Sequence, residues 1–323
     1  MIRRAFVPAA PPATELVHDR QKDWINILFL SLTPVIGVLG TAAYAIAFGV
    51  RWWEPTLFFV LFGLVSFSVT AGYHRCFAHK AYVSHPALQA FYLFFGAMAL
   101  QNSALKWSSD HRDHHRHVDR DWDPYNIKRG GLWAHILWLF YKEPVELSYD
   151  NVADLTANRL VRWQFRLNNW FGLIAGLGIP TLIGALFGRP LGGLLWGGFL
   201  RIVVIHHTTF LVNSAAHIWG TRPYTEENSA RDNGLLAFIT NGEGYHNFHH
   251  KFPSDFRNGV RWYQWDPTKW LIALLRFAGL ARDLRKTPEA VIEKSRLRIK
   301  LAKSQRQLSR MPEGVAEGSV CPG

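Results

Sequence analysis

Nine of the 15 histidines fall in three tight groups and one single position. His74 and His79 bracket His74-Arg75-Cys76-Phe77-Ala78-His79; His111, His114 and His115 stand in His111-Arg112-Asp113-His114-His115. His246, His249 and His250 repeat that spacing in His246-Asn247-Phe248-His249-His250, and His217 closes Asn213-Ser214-Ala215-Ala216-His217. On a helix, positions i and i+4 lie within about 40° of each other, and adjacent positions are about 100° apart. His111 and His115 therefore share a face while His114 points away, so a His-x-x-His-His group suits two ions rather than one. For the third group, helix geometry alone leaves the division open. His74 and His79 would diverge on a straight helix, so a helix carrying them should end or bend just before His79. Left without metal, nine such rings would repel one another on protonation and leave many ring nitrogens unpaired. The remaining histidines read as ordinary polar residues: His18, His85, His117 and His135 singly, and His206-His207 as packing or interface groups.

The elements that must position these groups are membrane helices. Hydrophobic residues make up 49% of the 323, aromatics 14% and charged residues only 19%. Mean hydropathy is −0.02, so very apolar stretches alternate with very polar ones. About 20 apolar residues span a bilayer as helix, and four stretches qualify: 24–50, 56–73, 170–187 and 191–212. The turns around Arg51 and Arg189 are very short, which predicts two hairpins. Each turn holds one basic residue, whereas four precede Trp24, twelve lie between His74 and Asn169, and seventeen follow Ala215. Positive charge marks the cytosolic side, so both termini and all nine histidines are expected there. A transport site would place its ligands near mid-membrane, not at helix ends.

The expected fold is an all-α membrane protein, with four transmembrane helices in two hairpins and a cytosolic helical cap holding a histidine-ligated dimetal site. It forms one domain over 1–323, with the cap at 74–169 and 213–285 and a basic tail at 286–323. The apolar run within 86–105 is too short to cross comfortably and reads as an interfacial or re-entrant helix. The tail reads as a basic membrane-surface helix or a frayed solvated segment. Pro-Ala-rich residues stand where a signal peptide would have its apolar core, so no cleaved signal is expected. The formal net charge of +12 suits an anionic membrane surface or an acidic head group, and no nucleic-acid partner is expected. Two cysteines, Cys76 and Cys321, rule out a disulfide scaffold or an iron–sulfur site.

Around the histidines stand Thr70-Ala71-Gly72-Tyr73-His74-Arg75, Asp110-His111-Arg112, Asp123-Pro124-Tyr125-Asn126 and Gly242-Glu243-Gly244-Tyr245-His246-Asn247. With the three boxes and the Asn213–His217 element, the chain from about Trp24 to Leu284 resembles the membrane-bound fatty acid desaturases, delta-9 (stearoyl-CoA desaturase-like) branch, bacterial members included. The resemblance implies two iron ions (Fe2+). One would be held by His74, His79, His111, His115 and His250; the other by His114, His217, His246 and His249, with Asn213 reaching it through water. It implies an O2-dependent desaturase placing a cis double bond in a saturated acyl chain. Removing hydrogens from an unactivated methylene pair needs O2, two electrons and a redox-active metal, which zinc is not. Asp110, Asp113 and Glu243 are candidates to orient the histidines.

A bent apolar tunnel should hold the chain, with Phe58, Phe62, Ser66 and Thr70 along one helix stripe, and Asn102 and Trp107 at the bend as the family has them. Helix packing competes for the stripe. Ser109 and Phe210 stand where animal acyl-CoA enzymes carry an arginine and a tryptophan, so the carrier is acyl-CoA first and an acyl-lipid second. His85-Pro86 lacks the glycines of a cytochrome b5 motif, so electrons are expected from a separate donor, such as cytochrome b5 or a ferredoxin with its reductase, docking on the basic face. The expected location is the bacterial inner membrane, or the endoplasmic reticulum in a eukaryote. The boxes alone also suit a membrane hydroxylase or alkane monooxygenase, and remotely a non-catalytic metal-binding protein.

Overall fold

The computed structural model describes residues 21–142 and 148–311, without the side chains of 168 and 169. His18, Cys321 and the end of the basic tail lie outside the described residues. The described chain is mostly helical; a two-residue antiparallel pair, β1 (Val83–Ser84) with β2 (Ala281–Arg282), is its one sheet.

Three helices are long and apolar enough to cross a membrane: α1 (Trp24–Phe48), α2 (Trp53–Ala78) and α8 (Pro190–Ile218). A bent pair, Arg159–Leu167 and Trp170–Leu186, together called α7 and turning by 76°, makes a fourth if counted as one span. Between α2 and α7 lie α3 (Pro86–Ala97), α4 (Ala104–His117), α5 (Gly131–His135) and α6 (Ala153–Ala157). After α8 come α9 (Gly234–Ile239), α10 (His246–Lys251), α11 (Pro267–Phe277) and α12 (Glu289–Leu308). Local chemistry sets these boundaries. Asp23, Ser103, Asn233 and Asp266 cap helix starts with their side chains. Pro86, Pro190 and Pro267 occupy first-turn positions, where their missing N–H is no loss.

Helix α8 is the hub. A Cβ on Gly37 of α1 would lie 3.0 Å from the backbone of Phe199, and one on Gly197 would press on Leu57 of α2. Gly193 packs so closely on α7 that a Cβ there would collide with Pro180 O. At the hairpin end, buried Glu54 accepts from Tyr44 Oη (2.9 Å) and Arg51 N (2.7 Å), and Arg189 Nη2 donates to Phe48 O (3.0 Å). These bonds tie the two turns together around the buried Glu54 carboxylate. Midway along α8, the fully buried Arg201 donates only to backbone carbonyls, of Gly197, Met98 and Gly176 at 2.8–3.0 Å. Those acceptors satisfy a charge that would otherwise be costly at this position.

The 86–105 stretch resolves into the 12-residue α3, a tight turn with Leu100 and Asn102 at positive φ, and then α4. Helix α3 packs Tyr92 against Gly72 of α2. In the tail, α12 is ordered against the cap: Ile292 is buried and Ser295 Oγ donates to Tyr224 O (3.3 Å).

Candidate metal centre

The last eleven residues of α2, Ser68–Ala78, are wound as π-helix. Its i→i+5 bonding carries His79 N to His74 O at 3.0 Å, and the helix stops at His79. Two residues five apart thereby meet on one side, with ring centroids 4.8 Å apart. The expected break before His79 is present; the π-winding that makes it useful left no mark in residue spacing. Helix α4 delivers His111 and His115 from one face, 4.7 Å apart, and turns His114 away. His217 sits in the last turn of α8, and α10 carries the third box.

These residues converge as two groups. His74, His79, His111 and His249 offer ligand nitrogens within 4.8 Å of one another, as do His114, His217, His246 and His250. His115 Nε2 joins the first group, 2.9 Å from His249 Nε2. His250 Nε2 lies 3.1 Å from His246 Nε2 and 3.3 Å from His114 Nε2. The expected places of His249 and His250 are therefore exchanged. The reason is helical: His246 and His250, four apart, share a face as His111 and His115 do, while His249 points to the other group.

Four of the outer ring nitrogens find partners, whereas His246 Nδ1 is buried without one. His74 Nδ1 donates to Glu243 Oε2 (2.8 Å) and His114 Nδ1 to Asp123 Oδ1 (2.8 Å). His217 Nδ1 meets Ser229 Oγ (2.7 Å), whose own proton goes to Asp119 Oδ1 (2.5 Å), and His111 Nδ1 lies 3.2 Å from the Tyr125 hydroxyl. With the proton held outside, the inner nitrogens of these four rings present lone pairs. Burial first, then the neighbouring imidazoles, pushes His79, His111, His115, His246, His249 and His250 well below the ordinary imidazole value. Neutral rings with converging lone pairs are the donor set of two transition-metal ions. The residues present fit such a pair.

Glu243 anchors this arrangement. Burial alone would raise its carboxyl, but Arg75 and His74 outweigh that and hold it down at about 2. Arg75 Nη2 donates to Glu243 Oε1 (2.8 Å) and to Asp266 Oδ1 (2.9 Å). Of the other two expected acids, Asp110 is gripped by Lys106 Nζ at 2.6 Å, and Asp113 is half-buried on α4. Asp119, Asp123 and Ser229 were missed by sequence reasoning. Asp123 alone carried a signal, as the head of Asp123-Pro124-Tyr125-Asn126; Asp119 and Ser229 meet only through folding.

Two apolar cavities adjoin the histidines. One runs between α1 and α8, past Asn26, Leu30, Asn102 and Phe210 to Trp107 and His111. The second continues past Trp107 to Ser66, Thr70, Thr240 and Glu243. Both reach Trp107, His111, Thr209 and Asn213, and Trp107 lies flat on His111 with centroids 5.0 Å apart. Of the expected tunnel residues, Ser66, Thr70, Asn102, Trp107 and Phe210 line these cavities. Phe58 and Phe62 line neither, stacking on each other at 6.0 Å. Ser109 turns away to bond Asn151 Oδ1 (2.9 Å). The histidines outside the boxes pair elsewhere: His135 with His207 (3.0 Å) and Ser214 (2.9 Å), and His206 with Ala99 O (2.8 Å).

A family model described as fatty acid desaturase matches residues 51–283. Over 294 residues the chain is 37% identical to "Acyl-CoA desaturase 1" of Saccharomyces cerevisiae, covering 90% of this chain and 57% of that protein. It is 34% identical over 286 residues to "sn-2 palmitoyl-lipid 9-desaturase" of Nostoc sp., covering 85% and 95%. It is also 34% identical over 286 residues to "Stearoyl-CoA desaturase 5" of Homo sapiens, covering 85% and 84%. The chain thus spans little more than half the length of the yeast relative.

Proposed function

Because the chain belongs to the fatty acid desaturase family, we propose that it is an O2-dependent fatty acyl desaturase that converts a methylene pair of a saturated chain into a cis double bond, delta-9 by position. The reaction balances as –CH2–CH2– with O2, two electrons and two protons giving –CH=CH– and two waters. The observation that carries this reading is the pair of cavities meeting at Trp107 and Asn213, flush against His74 and His111 of the first histidine group. His74, His79, His111, His115 and His249 would hold one iron; His114, His217, His246 and His250 the other, with Asn213 near it through water. The iron pair, when bound, supplies the reduction of O2.

The chain's own residues do the rest. Glu243, Asp123 and Ser229 keep ring protons on Nδ1 and so fix ring orientation. Trp107, lying on His111 between the two cavities, forces an acyl chain passing from one to the other to turn beside the histidines. The apolar lining excludes water and limits the chain to one pose, the main contribution a protein can make to such a reaction.

The excess of basic residues on the side of the histidines supports a cytosolic cap, with four spans in two hairpins, in one domain. Acyl-CoA is the first-choice carrier, since two of the three relatives are named for it; an acyl-lipid, as in the Nostoc relative's name, is the second. Electrons come from a separate donor such as cytochrome b5 or a ferredoxin. Fatty-acid analysis of a host expressing the chain tests the proposal. New monoenes support it; hydroxy acids would replace it with a hydroxylase, and an unchanged profile would leave a non-catalytic metal protein.

A further inference from the structure

A continuous apolar surface on the cap has no role in the site. Helix α11 turns Trp270, Leu274 and Phe277 outward at i, i+4 and i+7, with Phe277 91% exposed. Helix α9 exposes Leu235 and Phe238, and Trp265 bridges the two helices, its ring 5.1 Å from Phe238 and 5.6 Å from Trp270. The cation on this helix is turned inward: Lys269 Nζ donates to the carbonyls of Gly259 (2.7 Å), Arg261 (2.6 Å) and Gln264 (3.0 Å). Arg276 lies beyond the stripe's edge, about 130° from its middle. An exposed apolar patch of this kind marks a surface that is covered in use.

Its height on the molecule identifies the cover. Thr268, at the start of α11, bonds Thr70 of α2 at 2.9 Å, and Asn241, just past α9, donates to Ser66 of α2 at 2.7 Å. Counted from Trp53 at the far end of α2, Ser66 and Thr70 are 13 and 17 residues along (66 − 53 and 70 − 53). At 1.5 Å per residue that is about 20 and 26 Å, against a hydrocarbon core of about 30 Å. Both ties therefore fall within the thickness that α2 crosses.

We propose that the α9–Trp265–α11 face is sunk in the cytosolic leaflet of the bilayer that the long helices span, so that this flank of the cap is itself a membrane-embedded, non-spanning element. This rests on the orientation given under Proposed function. Trp, Phe and Leu on one face with an arginine beyond its edge are the composition of a helix lying in the interface, where the indoles settle at headgroup level and the arginine reaches outward. Helix α12 provides the contrast. It exposes Leu297 and Leu301 among many basic residues but attaches to the cap through Tyr224 and Arg222, with no hydrogen bond to a spanning helix among the described residues.

The test is site-directed spin labelling in nanodiscs of a single phosphatidylcholine. Leu274→Cys, Phe238→Cys and, as control, Leu301→Cys are made in a Cys321→Ser background. Cys76 is buried against Ser84 and escapes the label. Collisions with O2 should exceed those with a water-soluble nickel complex several-fold at positions 274 and 238, and the order should reverse at 301. Nickel accessibility at 274 and 238 equal to that at 301 would overturn the proposal. So would dipolar coupling between labels of two chains, which would put a second copy on this face. Fatty-acid analysis of a host expressing the unlabelled chain separates this inference from the functional one. Water-exposed labels with new monoenes would sink the embedding alone, whereas lipid-exposed labels without any new product would sink only the desaturase reading.

Discussion

Replacing Glu243 by glutamine isolates what one carboxylate does for the centre. The charged group accepts from His74 Nδ1, from Arg75 Nε and Nη2, and from Asn258 Nδ2, all at 2.7–3.2 Å. An amide has one acceptor oxygen, so its NH2 must face either the guanidinium or the imidazole N–H. Its cost can be worked from how far the site lowers the carboxyl. A carboxyl held at about 2 rather than the usual 4.3 or so differs by roughly two units, or about 3 kcal/mol at 1.36 per unit. Because the folded value is the lower one, this stability is complete above about pH 4.3 and fades as pH falls towards 2. Breaking a buried pair costs about 3–5 kcal/mol, and Arg75 keeps Asp266, so the lower end is expected. Glu243→Gln should lose about 3 kcal/mol of stability at neutral pH and bind metal at the His74 group about 10–100-fold more weakly. Thermal unfolding in detergent and metal titration read the two effects, the second on protein that has remained folded. A variant with native metal affinity and an unshifted unfolding midpoint would refute the claim that Glu243 orients His74.

Elemental analysis should find two metal ions per chain. His249→Ala should weaken the site shared with His74, and His250→Ala the site shared with His114; the reverse pattern would restore the division first expected. Ser66→Phe fills the far cavity and should shorten the accepted chain without moving the double bond, whereas Phe58→Ala, which lines neither cavity, should leave the product profile unchanged in hosts supplied with chains of different length. Gly193→Leu forces a side chain into Pro180 O and the backbone of Gly184. Size-exclusion chromatography in detergent should show it as aggregated, and a monodisperse peak would argue against tight packing of α7 on α8.

Much of this arrangement is legible in the residues because its signals are local. The i, i+4 rule places His111 with His115, and His246 and His250 obey it too, but it does not say which metal group that second pair joins, so the third box stays open until the chain is folded. Apolar length alone marks α1, α2 and α8. Other features depend on contacts that no window contains. Ser229 reaches His217 only after Asp119 has bonded it across more than a hundred residues. The Phe58–Phe62 stripe has the right period and the right helix, yet helix periodicity gives a direction without saying whether a cavity or a neighbouring ring lies there. The 76° bend of α7 and the burial of Arg201 against three carbonyls are likewise settled by packing, which overrides local preference.

The π-wound end of α2 makes the helices unequally tolerant of insertion and deletion. An i→i+5 turn accommodates one residue more than the α-helix it replaces, and between Ser68 and Ala78 that surplus is what brings His79 back to His74. Inserting one more residue between these histidines leaves no wider turn to take it up and swings His79 off the face of His74, however conservative the remaining residues. The π-turn of α1, Val35–Gly40, carries no histidine, so the same insertion there changes only which side chains face neighbouring helices or lipid. Length drift in this chain should accordingly be absorbed in α1 and rejected in the last three turns of α2.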